Sequence, residues 1–478
     1  MKKYIPVFIL LLLAFGACKD FLSLQPNYQI NEVNYYKTQK DFETALIGNY
    51  SELQTLHNGN VLYLGELTTD NADIQWSSPD VAEMECDEMN LTSTNTFVYN
   101  VWKSCFVTIA RCNNILSRID DVAMTDALKS QYKGESKFLR AYCYFYLVRL
   151  FGDVPIVEQS FRSPNEVAAS DLTRKPAAEA YTLIISDLKS AATLLEGVTG
   201  LSKSRASKGA AKTLLGKVYL TQKDYAQSAA ILKEVIDLNT YSLVPAYKTL
   251  FTNGNNELSE SVFEIKYLSG NVGEGNQFSS LFTPPRFDMA IFPGNMQGSG
   301  RIVPTADMGK AYEANDLRRP VSICDTVKLI SGAYAKNIYG LKFVDFKTGL
   351  IGDGGINFTS IRYADNLLMY AETLNETGKT TEAHTYLNMI RTRAGLPSLS
   401  GLSKADFALA LEKERRVEFL LEGQRWFDLI RTGRFQTVMN KHFIDKKLNF
   451  TVQDYELLMP IPQKERDINP NLKQNTGY

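Results

Sequence analysis

The segment AAKTLLGKVYLTQKDYAQSAAILKEVI, residues 210–236, constrains the fold more than any other part of this chain. Leu215 and Gly216 are followed by Tyr219. Beyond the short turn Gln222-Lys223-Asp224 come Tyr225, Ser228 and Leu232. Apolar residues recurring at three and four predict two amphipathic helices joined by a tight turn. A small residue at 216 lets the two backbones approach, and a ring fills the groove beside it.

A second copy runs from 361 to 393, with Tyr370-Ala371, Leu374, Gly378, Ala383 and Leu387 in equivalent places. The spacing is near that of a tetratricopeptide repeat, a helix pair that stacks on its neighbours. Vaguer pairs near 36–120 and 130–195 extend the series. In the first, Val98, Val101, Cys105, Ile109, Cys112 and Leu116 form one apolar stripe; in the second, Gly152-Asp153 and Pro155 end a helix that starts near Ser130. The predicted fold is all-α, a tetratricopeptide-like right-handed superhelix of about four pairs, near 36–120, 130–195, 207–240 and 361–394. A Gly-, Pro- and Asn-rich insertion from 251 to 358 interrupts it, with short β patterns near 261 (SVFEIKYL) and 341 (LKFVDF). Residues 65–96 read as a polar irregular loop. Long structured loops of this kind are commonly functional. Residues 404–430 read as one helix, and Pro460, Pro462 and Pro470 predict an extended tail within 404–478.

The N-terminus is Met1-Lys2-Lys3, an apolar run over 7–15, the small pair Gly16-Ala17, and Cys18. A basic start, a short apolar core and small residues describe a secretory signal over 1–17. A cysteine directly after them predicts acylation at Cys18, an anchor that holds a protein to a membrane without a spanning helix. Residues 18–35 then form the anchor and tether. No later stretch offers the roughly 18 uninterrupted apolar residues that spanning needs. Hydrophobic content of 44% and charged content of 22% suit a packed globule, and a net charge of −1 excludes the electrostatic footprint of a nucleic-acid binder. Cys86, Cys105, Cys112, Cys143 and Cys324 are no disulfide framework, and the sequence leaves their pairing open.

Tyr and Phe, 25 of each, are the surplus in this composition, beside 3 Trp. Sugar capture needs a flat ring against the C–H face of a pyranose and planar polar groups that bond its hydroxyls in pairs. Trp76, with Asn71, Asp73 and Gln75, has that mixture. Phe287, Phe292, Asn295, Gln297 and Arg301 offer it again in the insertion, and Tyr334 and Tyr339 are further candidates. Trp102 and Trp426 lie on helix faces and read as core. Glycoside hydrolysis needs two opposed carboxyls, whereas Glu418 and Glu422 lie one turn apart beside Arg415, Arg416 and Arg425, an ion-paired pattern. His57, His384 and His442 are isolated, and no zinc, calcium or phosphate-loop motif occurs. The expectation is a binding protein with no catalytic residue, no metal and no cofactor besides the lipid on Cys18.

Four segments in order resemble the SusD/RagB family of outer-membrane lipoproteins of Bacteroidetes. They are Cys18-Lys19-Asp20-Phe21-Leu22 with Pro26; Lys137-Phe138-Leu139-Arg140-Ala141-Tyr142 running to Gly152-Asp153-Val154-Pro155; Arg362-Tyr363-Ala364-Asp365 through Ile390-Arg391-Thr392-Arg393-Ala394-Gly395; and Glu414-Arg415-Arg416, Glu422-Gly423-Gln424-Arg425, Pro460-Ile461-Pro462 and Gly477-Tyr478. The resemblance covers essentially the whole mature chain. It implies one SusD-like domain over 36–478, anchored through Cys18 in the cell outer membrane and facing outward. It further implies a lid on a SusC-like, TonB-dependent β-barrel, with the repeat side toward the barrel and the loop lobe capturing an oligosaccharide. The RagB branch of the family implies a peptide instead, and a repeat scaffold that binds only proteins is the remaining alternative.

Overall fold

The computed structural model describes residues 35–478. The signal peptide, Cys18 and nearly all of the tether lie outside the described residues. The α-helices of six or more residues are α1 (Gln39–His57), α2 (Val81–Asp87), α3 (Thr96–Arg118), α4 (Asp126–Phe151), α5 (Pro164–Ala169), α6 (Ala177–Leu194), α7 (Lys208–Thr221), α8 (Tyr225–Asp237), α9 (Ala306–Ala311), α10 (Tyr363–Glu376), α11 (Thr380–Arg393), α12 (Lys404–Glu418), α13 (Arg425–Arg431), α14 (Phe435–Asp445) and α15 (Gln463–Ile468). Start signals are local. Thr38 and Asp41 form a reciprocal capping box on α1, and Ser207 and Ser403 cap α7 and α12.

The long helices stack in sequence order: α1 on α3, α3 on α4, α4 on α6, α6 on α7, α7 on α8, α8 on α10, and α10 on α11, with α12 across the last pair. This is the all-α, tetratricopeptide-like architecture. Gly216 shows why the repeat pattern works. A Cβ there would stand 2.5 Å from a Leu232 methyl, and the Ser228 hydroxyl donates to the Gly216 carbonyl at 2.8 Å. The small residue thus sits where α7 and α8 touch.

Three short antiparallel ribbons build the insertion and its neighbours: β1 (Ala72–Asp73) with β3 (Val303–Pro304), β2 (Ser261–Ile265) with β6 (Phe358–Arg362), and β4 (Ile323–Lys328) with β5 (Tyr334–Gly340). The β2–β6 ribbon is buried along its whole length and ties the two ends of the insertion together where α10 begins.

Several sequence expectations are corrected. The 404–430 helix is broken at 419–424, where Leu421 (φ 62°) and Gly423 (φ 69°) take left-handed backbone. The pattern near 341 forms no strand, because Phe343 turns at φ 59° and Lys342 is drawn into a buried ion network. The strands form instead at β4, β5 and β6. Residues 65–96 contain a β-strand and α2, and the single-turn π-helix Tyr63–Leu67 leads into them. The tail holds the helical turns Asp454–Leu457 and α15. Trp102 and Trp426 are core, as read. Cys86, Cys105, Cys112, Cys143 and Cys324 are free thiols, the first four buried.

Candidate functional site

Trp76 stands just beyond β1, and β1 is registered on β3 by Ala72 opposite Pro304 and Asp73 opposite Val303. The Gln75 amide continues that pairing by donating to the Gly300 carbonyl at 2.7 Å. Trp76 and Arg301 are thereby brought side by side, with the guanidinium carbon 5.7 Å from the indole centroid. Arg301 is itself held by Glu83 on α2, and Glu83 also accepts from the Tyr63 hydroxyl at 3.1 Å. Tyr63 stacks on Phe97 with centroids 3.7 Å apart, so the chain of contacts ends in the helical body on α3.

The loop carrying Phe287 joins the same lobe. Gly300 lies at φ 58°, and a Cβ there would meet Pro285 Cδ at 2.6 Å and Gln75 Cβ at 3.2 Å. Only glycine permits both the conformation and the approach. The Gln75 side-chain amide donates to the Ile338 carbonyl of β5 at 2.7 Å, which docks the β4–β5 hairpin beside Trp76. Ile330 N donates to Asp288 O at 2.7 Å and Ala290 N to Lys328 O at 2.8 Å, setting the Phe287 loop along the hairpin tip. Phe287 is 75% exposed, Tyr334 69% and Ile330 57%. Exposed rings held on a rigid backbone are suited to stacking, since no buried neighbour satisfies their faces.

The sequence-predicted residues divide accordingly. Trp76, half-buried, and the exposed Phe287 and Tyr334 present surface. Gln297 is half-buried, and Asn295 ends the short turn Pro293–Asn295. Asn71, Phe292 and Tyr339 are corrected to packing roles, being buried. The Asn71 side chain bridges Glu66 (3.0 Å) and Arg416 (3.0 Å). Asp73 binds Lys446 at 2.6 Å, and Gln75 and Arg301 brace the lobe as described. Phe346, which stacks on Phe292 at 5.9 Å and is 46% exposed, is a surface ring that the sequence reading passed over as strand. The only signal for it was a lone aromatic between Asp345 and Lys347.

The acids that the sequence singled out are buried in internal contacts. Glu418 is buried among Arg393, Arg362 and Arg318, and these cations outweigh burial and hold its carboxyl well below the usual range. Glu422 is buried on Lys342 and Arg362. Glu66 is buried with less compensation, and desolvation lifts it to about 7 although it accepts from Asn71 and from the Glu422 and Gly423 amides. Among the described residues no group of three His, Cys, Asp or Glu is placed to hold a metal ion. Nor is any described helix long and apolar enough to cross a membrane.

Known proteins share this organisation. The profile described as "SusD family" matches residues 325–478, and "Starch-binding associating with outer membrane" matches residues 20–220. The SusD-like protein P2 of Formosa agariphila is 30% identical over the full length of both chains. Among solved structures, a SusD superfamily protein from Parabacteroides distasonis is 26% identical with a TM-score of 0.80, covering 92% of this chain and 99% of that one. A laminarin-binding SusD-like protein is 27% identical with a TM-score of 0.79, covering 93% and 100%. The chain belongs to the SusD family.

Proposed function

We propose that this protein is a lipid-anchored glycan-binding subunit at the outer face of the outer membrane, capping a SusC-like TonB-dependent barrel for nutrient uptake. The observation that carries the reading is the ring set of half-buried Trp76 with exposed Phe287 and Tyr334, braced on one lobe of a SusD-family fold. A laminarin-binding relative of the same fold and a family described as starch-binding support a carbohydrate rather than a peptide. The chain binds and does not turn over its ligand, in keeping with acids that are consumed by internal ion pairs. Acylated Cys18 supplies the membrane attachment.

Calorimetric titration of the mature protein with neutral and acidic oligosaccharides tests the binding step, with a random peptide mixture as the comparison. Binding to peptides and to no oligosaccharide overturns the glycan reading in favour of a peptide-import lid. Affinity purification from native membranes tests the partner, which is expected to be a large outer-membrane β-barrel.

A further inference from the structure

Charges in the lobe over residues 286–353 are unevenly paired. Asp288 pairs with Arg286, Asp307 with Arg416, Glu313 with Arg391, Asp316 with Arg318 and Asp325 with Arg319. Asp345 accepts from the Lys347 and Gly355 amides, and Asp353 from those of Gly270 and Asn271. Arg301 is taken by Glu83 and Lys342 by Glu422. Every carboxylate and every arginine of the stretch is therefore engaged. Lys310, Lys328, Lys336 and Lys347 are exposed, and among the described residues they have no acidic partner.

Two of these lysines flank the most exposed tyrosine of the lobe. In the β4–β5 ribbon Lys328 is registered opposite Tyr334, and Thr326 opposite Lys336. Val327 and its partner Ala335 point the other way, Val327 being fully buried. Side chains alternate across a strand, so Lys328, Tyr334 and Lys336 share the outer face. Directly opposed residues lie about 5 Å apart at Cα and next-but-one residues about 7 Å apart. Both ammonium groups can therefore reach ligand atoms around a sugar ring stacked on Tyr334. The whole chain carries a net charge of −1, so this surplus is local rather than a reflection of a basic protein.

We propose that the outer face of the β4–β5 hairpin selects an acidic glycan, with Tyr334 under a sugar ring and Lys328 and Lys336 on its carboxylate or sulfate groups. The inference rests on the glycan reading above and narrows its substrate class. A lysine ammonium suits either anion, because it acts as a point charge and does not demand the planar fork that arginine offers. Exposed ion pairs of this kind are strongly screened, with a Debye length of about 10 Å at 0.1 M salt, so recognition is salt-sensitive.

The test titrates the mature protein with a hexagalacturonate, a sulfated galactan hexasaccharide, laminarihexaose and maltohexaose at low and high sodium chloride. The expected result is that an acidic hexasaccharide binds at least about tenfold more tightly than both neutral ones and loses about tenfold in affinity at high salt. Lys328→Gln with Lys336→Gln should remove most of that preference at an unchanged unfolding midpoint, and the Lys→Arg pair should retain it. Salt-insensitive binding of a neutral hexasaccharide, unaffected by the glutamine pair, overturns this inference and leaves the glycan reading standing. Binding of none of the four sugars overturns both.

Discussion

Arg362 donates through Nη1 to Glu418 Oε1 at 2.9 Å, and both side chains are buried. The pair joins parts of the protein that are far apart in sequence. Arg362 ends β6 and caps the insertion, while Glu418 is the last residue of α12. Around them Arg362 also binds Glu260 (2.6 Å) and Glu422 (2.8 Å), Arg393 binds Glu260 (2.7 Å), and Lys342 binds Glu422 (2.9 Å). Arg318, from the lobe, reaches Glu418 at 3.0 Å. The helical stack and the inserted lobe thus share one buried ionic knot.

Removing one member of such a knot leaves an uncompensated buried charge, which typically costs about 3–5 kcal/mol. Arg362→Met should therefore destabilise the protein by that order, read as a lowered midpoint in urea. Glu412→Gln, which loosens the half-buried contact with Arg434 and leaves buried Arg425 on Asp70, should stay within about 1 kcal/mol of the parent. Equal midpoints for the two variants would refute the knot as the joint between lobe and stack.

Glu66 gives a pH dependence of definite sign. Its carboxyl is lifted from an ordinary value near 4.5 to about 7 by burial. A raised carboxyl binds its proton more tightly in the folded chain. Its effect is nil below about pH 4.5, and it opposes folding increasingly as pH rises to 7. Asp87, also raised to about 7 by burial, acts in the same window. Glu418 and Asp365, held low by their cations, contribute stability that is lost only on further acidification, as pH falls below their ordinary values. His57, lowered to about 3 by burial, works against the trend of Glu66 below about pH 6.5, so a variant is needed to isolate the carboxyl. Relative to the parent, Glu66→Gln should gain stability on going from pH 5 to pH 8, on the order of 2 kcal/mol. A constant difference across that range would show that Glu66 is not buried as charged.

How much of this was legible depended on whether a residue's role is set by its near neighbours in sequence. The α7/α8 and α10/α11 pairs could be read because small and large residues recur at helical spacing and the turn lies between them. The break in α12 could not, because 404–430 keeps helical periodicity through Leu420 and Leu421, and the left-handed turn is fixed by distant contacts. One is the close approach of Gly423 to Gly65, where a Cβ would stand 2.6 Å from the Gly423 carbonyl. In the candidate site, the surface placement of Trp76 and Tyr334 follows from residue type and polar context. Asn71, in the same polar loop, could not be told apart from them. Its burial follows from Arg416, which lies far along the chain.

Gly216 tests the repeat logic directly. An added methyl gains about 1 kcal/mol of helix propensity, but it must displace Leu232, which is fully buried, and overpacking of this kind costs about 1–3 kcal/mol. Gly216→Ala should be destabilising by a small net amount and Gly216→Leu by far more. Thermal unfolding of the two variants measures both. A neutral leucine would mean that α7 and α8 are not held at this distance.

Trp76 supplies both a perturbation and a reporter. Trp102 and Trp426 are buried, so Trp76 is the tryptophan whose emission a surface ligand can change. Binding of a glycan should shift or quench the intrinsic fluorescence of the parent and leave that of Trp76→Phe nearly unchanged. Trp76→Ala should weaken binding by about tenfold, the size of one lost stacking contact, while unfolding stays within about 0.5 kcal/mol as for other surface substitutions. Arg301→Gln should give a smaller loss, since it frees the indole from its brace without removing the ring. A Trp76→Ala protein that binds as tightly as the parent would remove Trp76 from the ligand contact and leave Phe287 and Tyr334 as the stacking rings.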